Sequence, residues 1–282
     1  MNVPLRRWPL LVVMILAVTR GLAVAQESQK PAPASPVHEH DAQAPAERKT
    51  LPNLSDRRGW PEPVADSATF SYLIFDVAEF QRTGSGPDAL RWDSYGWRGG
   101  DVHRFWFKSE GRIESNPGED GELEGQALYG KLLWPYFDLQ TGIRAVQAFR
   151  TGSDPTRLYA VIGLQGLSPY RFELEPTLFV SHKGQVAGRL TAAIDLLLSQ
   201  RLVLQPRLET NFAVQDDEAL GIGAGWNDAE VGVRLRYEVR REFAPYLGIT
   251  WKESFGATHR LATEVGGDAS HFVVVVGART WF

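Results

Sequence analysis

The chain has 282 residues, a formal net charge of −4, 43% hydrophobic residues and no cysteine. The lack of cysteine excludes a disulfide framework and a thiolate metal site, and the nearly balanced charge argues against nucleic acid as a partner. Beyond the N-terminal segment, no run approaches the ~18 apolar residues that a membrane-spanning helix needs.

Residues 1–25 have the pattern of an export signal. Arg6 and Arg7 supply the positive start, an apolar centre follows, and Ala23-Val24-Ala25 forms a small-residue cleavage site. The apolar centre is too short to cross a bilayer of about 30 Å as a helix. Twin-arginine export is the alternative, although the residues around the arginine pair fit that pattern poorly. We therefore expect a secretory signal peptide.

Residues 26–66 are rich in Pro, Ala, Gln, Ser and charged residues and show no apolar periodicity. This composition predicts a flexible, disordered tail, which we place in the periplasm. The run His38-Glu39-His40-Asp41 is a compact set of nitrogen and oxygen donors that suits Cu(II) or a similar ion. His38 and His40 are therefore candidate metal ligands, with an incidental cluster as the alternative.

From residue 67 to residue 282 the chain changes to segments of about ten to fifteen residues with alternating apolar positions, which predicts β-strands. The strands are expected at 70–82, 89–98, 103–115, 121–134, 136–150, 156–168, 170–182, 185–199, 201–215, 226–241, 243–256 and 270–282. The even number is typical of a single-chain bacterial barrel. The predicted fold class is all-β, a transmembrane antiparallel β-barrel of about 12 strands.

The connections between these strands alternate in length. The longer ones are 83–88, 116–120, 151–155, 216–225 and 257–269, and short turns lie between them, with 183–184 as the exception. Outer-membrane barrels have short periplasmic turns and longer extracellular loops. The pattern therefore predicts a Gram-negative outer-membrane location with a periplasmic C-terminus at Phe282.

The two faces of the predicted strands differ in polarity. A charge that faces lipid at mid-bilayer costs about 2–4 kcal/mol, so the charged face must line the interior. The predicted lumen residues are Lys108, Glu110, Arg112, Glu173, Glu175, Asp195, Arg207, Glu209, Arg234, Arg236, Glu238 and Arg279. They could brace the wall as ion pairs or form a path for a cation. A soluble sandwich, with the charges in water and the aliphatic face in a core, is the alternative fold.

Three further histidines are candidate metal ligands near the outer mouth. His182 and His259 fall in or beside outer loops, and His271 lies near the outer end of the last strand, although each could also be an ordinary surface histidine. No serine shares a strand face with a histidine at close spacing, so we expect no enzyme activity. Aromatic residues near the turns predict girdles at the lipid interfaces: Trp97, Trp134, Tyr136, Tyr170 and Tyr246.

Several runs resemble the copper resistance protein B (CopB) family. They are YAVIGLQGLSPY at 159–170, RLRYE at 234–238, REFAPY at 241–246, LLSQRL at 197–202, LGIG at 220–223, DAE at 228–230, WD at 92–93, GGD at 99–101 and KSEG at 108–111. The resemblance covers roughly 75–282.

The resemblance implies an outer-membrane barrel of copper resistance that binds copper, with periplasmic copper-binding protein and multicopper oxidase as partners. The direction of copper movement stays open, and a structural barrel that docks a periplasmic complex without transport is the alternative. Many relatives carry an N-terminal tail of Met, His and Asp repeats, whereas this tail holds one short cluster, His38 to Asp41. Sequestration by the tail is therefore not expected here.

Overall fold

The structure is a computed structural model that describes residues 68–84, 86–115, 120–149, 155–168, 172–264 and 268–282. The predicted signal peptide, the tail and its candidate ligands His38 and His40 lie outside these residues. In the described part of the chain, no helix is long and apolar enough to cross a bilayer.

In the described part of the chain, twelve antiparallel strands form one closed sheet. They are β1 Phe70–Thr83, β2 Ala89–Gly99, β3 His103–Glu114, β4 Gly121–Trp134, β5 Phe137–Phe149, β6 Thr156–Ser168, β7 Phe172–Ser181, β8 Val186–Ile194 with a continuation at Leu196–Leu197, β9 Leu202–Ala213, β10 Gly225–Tyr237, β11 Phe243–Ser254 and β12 Ser270–Trp281. Each predicted strand corresponds to one of them. The largest differences are at β8 and β10, which end earlier than the alternation alone indicated.

The barrel closes between its first and last strands. β1 pairs with both β2 and β12, and Phe282 continues the ladder through two backbone hydrogen bonds with Leu73, at 3.1 and 2.8 Å. The register of β1 shifts after Phe75 on both sides, so this strand contains a β-bulge at Asp76. The bulge lets Asp76 and Glu79 face the same interior, although their spacing alone would place them on opposite faces.

The polarity of the barrel is that of a membrane protein. On β12, Phe272 and Val276 are 67% and 56% exposed on the outer face, whereas Val273 and Val275 are fully buried inside. Charged side chains such as Arg234 and Arg236 are buried in the interior. A soluble sandwich would have the opposite polarity, so the transmembrane barrel prediction is confirmed.

The connections at the two ends differ. The short-turn end includes 135–136 and 238–242, whereas the opposite end carries the 214–224 loop and α1, Gly256–Glu264, between β11 and β12. Trp134 and Tyr136 are 58% and 76% exposed at the short-turn end, as a girdle requires. Tyr170 lies outside the described residues.

Two of the predicted girdle residues face inward instead. The Trp97 ring lies 6.2 Å from the buried Trp106 ring. Tyr246 is 5% exposed, and its hydroxyl donates a hydrogen bond of 3.1 Å to Glu79. The girdle prediction was therefore wrong for both, because nearness to a turn does not decide which face of a strand a residue occupies.

Candidate cation path in the barrel lumen

Arg91 forms the central contact of the lumen. Its guanidinium extends from β2 across the barrel and pairs with Glu230 on β10 and with Glu209 on β9, the latter at 3.2 Å. A third carboxylate, Glu110 on the neighbouring strand β3, lies 3.3 Å away. With 5% of its side chain exposed, Arg91 is a buried cation held by three anions, and it connects walls that are not adjacent in the sheet.

Two more arginines extend this network from the opposite wall. Arg189 on β8 contacts Glu110 at 2.7 Å and Glu124 at 3.2 Å. Arg207 on β9 contacts Glu209 at 3.3 Å and lies 3.0 Å from Asp93 on β2. Several of these carboxylates therefore contact more than one cationic side chain. Their charge is neutralised by a network of contacts rather than by one fixed ion pair.

The short-turn half of the lumen contains a separate group of pairs. Asp195, at the interruption of β8, lies 2.7 Å from Arg236 and 3.9 Å from Arg279. Arg279 also contacts Asp76, at 2.7 Å. On the other wall, Lys108 on β3 pairs with Glu175 on β7.

A small acidic cavity lies among these groups. Its volume is about 60 Å³, and it is bordered by Asp76, Asp93, Tyr95, Lys108, Glu110, Glu124, Gln126, Glu173, Glu175, Arg189, Thr191, Ala193, Arg207 and Glu209. The described residues of this lining include seven carboxylates and three cationic side chains. Because one water needs roughly 10–15 Å³ of such volume, the cavity has room for a few waters or a partly hydrated ion but not for an open pore.

Apolar side chains fill another part of the lumen. Trp106, Leu128, Tyr159 and Phe179 belong to one buried cluster that crosses the inner faces of β3 to β7. The guanidinium of Arg144 lies over Phe179, 4.2 Å from the ring centre, a favourable cation–π distance. A barrel of this size is expected to have a partly filled lumen, and here aromatic residues such as Trp106 and Phe179 do part of the filling.

The predicted lumen residues are distributed among these features rather than along one line. Glu110, Glu173, Glu175, Lys108, Arg207 and Glu209 border the cavity, and Asp195, Arg236 and Arg279 form the group at the short-turn end. Three lie apart: Arg234 pairs with Glu79 at 3.1 Å against the wall, Arg112 lies 3.4 Å from Glu114 on its own strand, and Glu238 follows the last residue of β10.

Arg91, Asp93 and Glu124 are central to the site but were absent from the predicted set. On β2, Arg91 and Asp93 alternate with the exposed Leu90, so the period of two did carry the signal. The inward position of Glu124 was missed because its strand is rich in glycine and has few large apolar residues to mark the outer face.

The candidate metal-binding histidines are not brought together. His182 is in the turn after β7, where Nδ1 lies 3.2 Å from the carbonyl oxygen of Leu158. His259 is exposed on α1, and His271 is half-buried at the loop end of β12. Among the described residues there is no group of three or more His, Asp or Glu that could hold a metal ion.

The long-loop mouth is covered by the 214–224 loop. Arg157 on β6 donates two hydrogen bonds to Asp217 in this loop, at 2.7 and 2.8 Å, and Leu220 is 6% exposed. Burial raises the pKa of Asp217, but the hydrogen bonds and charge of Arg157 outweigh it and hold the pKa below its usual 3.8. The ion pair fastens the loop to the far wall of the mouth.

The family model described as "Copper resistance protein B precursor (CopB)" matches residues 69–282, which is the whole barrel. The chain belongs to this family. It is 44% identical over 219 residues to "Copper resistance protein B" of Escherichia coli, covering 78% of this chain and 72% of that protein. A homolog from Pseudomonas syringae pv. tomato is 42% identical with the same coverage. Membership of the CopB family indicates a role in copper resistance.

Solved porin structures are also similar. The NanC porin covers 75% of this chain and 99% of its own, with a TM-score of 0.48 and 10% identity. The KdgM porin covers 76% and 99%, with a TM-score of 0.44 and 10% identity. The fold assignment itself rests on the strand pairing and the polarity of this chain.

Proposed function

We propose that this CopB-family protein is a non-enzymatic outer-membrane barrel that binds copper ions in the acidic cavity of its lumen and passes them through it. The observation that carries the proposal is the cavity of about 60 Å³, where, among the described residues, seven carboxylates outnumber three cationic side chains. An excess of carboxylates at a narrow point attracts cations and repels anions. The short-turn end, with the N-terminal tail, would face the periplasm.

The donor chemistry favours Cu(II) over Cu(I) as the passing ion. The chain has no cysteine, and its only two methionines are in the predicted signal peptide, at Met1 and Met14. Cu(I) prefers such soft sulfur ligands, whereas oxygen and imidazole donors suit Cu(II). Since the described carboxylates form no ready-made metal cluster, the ion would be held weakly, as passage requires.

Glu173 offers the sharpest test of the cavity. It borders the cavity, yet no Lys or Arg of the described residues forms an ion pair with it. Glu173→Gln therefore removes one carboxyl group from the cavity lining without breaking an ion pair. We expect copper flux into liposomes containing the purified barrel to fall severalfold, with the heat-modifiable gel shift of a folded barrel retained.

The matched control is Glu253→Gln on β11. Glu253 lies four residues after the exposed Ile249, so a period of two places both on the outer face, and its removal should leave flux unchanged. Equal flux in the wild type and in Glu173→Gln would contradict passage through the cavity. In cells, deletion of the gene should change periplasmic copper content under copper stress.

A docking barrel is the second candidate, and the ion pairs that cross the lumen favour it. Arg91 and Arg207 connect opposite walls as braces would, without any need for transport. In this case the barrel would hold a periplasmic copper-binding protein or a multicopper oxidase at the membrane. A barrel that is silent in planar bilayers but co-purifies with such a protein would support docking over passage.

A further inference from the structure

A basic patch lies on the outer face of the barrel at its short-turn end. Arg98 on β2, His103 on β3 and Lys131 on β4 are all exposed there. His103 and Lys131 are direct cross-strand partners. Arg98 is opposite Phe105, which is in turn opposite Tyr129. Because neighbouring strands are about 4.8 Å apart, the long basic side chains can reach a common point.

Tyr129 holds one side chain of the patch, His103, in a fixed position. Its hydroxyl lies 2.5 Å from His103 Nδ1, and the two rings are stacked with their centres 5.8 Å apart. Tyr129 is 47% exposed, so this pair presents a rigid polar edge to the surroundings. Tyrosine commonly occupies the headgroup level of a bilayer, where its ring is in lipid and its hydroxyl meets water or a headgroup.

The patch has no matching acid on its own surface. Among the described residues, neither Arg98 nor Lys131 forms an ion pair, and every carboxylate within β2, β3 and β4 is on the inner face. Asp138 also faces inward, where Arg104 holds it at 2.8 Å. Asp101 in the adjoining turn is the nearest remaining carboxylate in sequence, and among the described residues its carboxylate forms no ion pair with the patch. The positive charge is therefore available to an anion from outside the protein.

Immediately beyond the patch the outer surface becomes apolar and aromatic. Phe105 and Phe107 are 44% and 47% exposed and pack edge to face, with ring centres 4.5 Å apart. Ile143 on β5 is 67% exposed. A lipid with a negative headgroup matches this arrangement of a basic zone beside an apolar one. Its phosphate would contact the basic residues while its acyl chains lie along the phenylalanines.

We propose that Arg98, His103 and Lys131, with Tyr129, form a binding site for the phosphate of an anionic phospholipid in the leaflet at the short-turn end. Basic side chains at this depth extend toward the headgroups, and clusters of them beside transmembrane segments bind anionic headgroups. Charge complementarity selects this occupant over a zwitterionic lipid, whose own ammonium would meet the same cations. The site is independent of copper handling, since it lies outside the barrel wall.

Titration of the detergent-solubilised full chain with phosphatidylglycerol or phosphatidylcholine, followed by native mass spectrometry, tests the site. We expect the wild type to bind phosphatidylglycerol at least tenfold more tightly than phosphatidylcholine. The double variant Arg98→Gln/Lys131→Gln should bind phosphatidylglycerol about 30-fold more weakly, from the loss of two headgroup contacts, with phosphatidylcholine binding unchanged. The conservative variant Arg98→Lys/Lys131→Arg should keep most of the preference.

Arg82→Gln is the matched control, because Arg82 is an exposed outward-facing arginine at the opposite end of β1. It should leave the preference for phosphatidylglycerol intact, and all variants should keep the gel shift of a folded barrel. Equal affinity of the wild type for the two lipids would overturn the proposal. So would an equal loss in Arg82→Gln and in the double variant, or complete displacement of the lipid by millimolar inorganic phosphate.

Discussion

Replacing Arg91 by glutamine removes the cation that connects the two walls of the lumen. The side chain is 5% exposed and pairs with Glu110, Glu209 and Glu230. Glutamine keeps most of the volume and some hydrogen-bonding capacity but no charge. The substitution therefore tests the electrostatic role of the contact rather than its packing.

The expected destabilisation follows from what each carboxylate retains. Removing one partner of a buried ion pair costs about 3–5 kcal/mol when the other charge is left uncompensated. Here Glu230 keeps Lys252 at 2.9 Å, Glu209 keeps Arg207 at 3.3 Å and Glu110 keeps Arg189 at 2.7 Å. The loss should therefore fall at the lower end, about 3 kcal/mol.

Urea unfolding of the barrel in detergent, followed by tryptophan fluorescence, measures this loss. With a slope of about 1–3 kcal/mol per molar urea, the midpoint should fall by about 1 M or more. Planar-bilayer recording should also show a larger, cation-selective conductance, because a positive charge has left the narrow part of the lumen.

Arg112→Gln is the control for Arg91→Gln. Arg112 has 33% of its side chain exposed, and its one ion pair among the described residues is with Glu114 on its own strand, at 3.4 Å. The change should therefore cost under about 1 kcal/mol. If Arg91→Gln and Arg112→Gln shift the midpoint equally, or if Arg91→Gln alters neither stability nor conductance, Arg91 does not hold the lumen closed.

Three further predictions concern the mouth, the wall and the outer face. Asp217 has a pKa below its usual 3.8, so its stabilisation is complete above that value and is lost as the pH falls through the lower folded-state value; Asp217→Asn should raise hydrogen exchange at Leu220 about tenfold at neutral pH. Gly130→Ala should cost about 1–3 kcal/mol, measured by urea unfolding, because its Cβ would lie 2.5 Å from Trp106 Nε1. Ile249→Arg should cost about 2–4 kcal/mol in bilayers; no loss there would contradict the membrane face, since Ile249 is 57% exposed.

The strands could be predicted because two signals agreed along the whole chain. Alternation marked the segments, and the cost of a charge in lipid then decided which face was inside. The predicted ends of β8 and β10 were too late, because the alternation continues past the last residue of each strand. Val239, for example, still follows the apolar pattern of β10, although the strand ends at Tyr237.

The contacts within the lumen could not be predicted in the same way. Alternation places Arg91 and Glu230 inside, but the tilt and stagger of the closed sheet decide which residues oppose each other across the barrel. The inward Trp97 is a different case. It lies four residues after Asp93 on the same strand, so a period of two places both on the inward face. The strand pattern therefore contained the information that nearness to a turn concealed.

If the barrel passes copper as proposed, the mixed filling of the lumen would let the ion through without unfolding the wall. One apolar cluster includes Trp106 and Phe179, and Tyr246, Val273 and Val275 form another. Packed apolar clusters resist change in volume, so they should fix the shape of the wall. The ion pairs between the walls can exchange instead, because several carboxylates have two or more cationic partners. A passing cation could displace one cationic partner from a carboxylate while the carboxylate stays neutralised, which keeps the free-energy barrier of each step low.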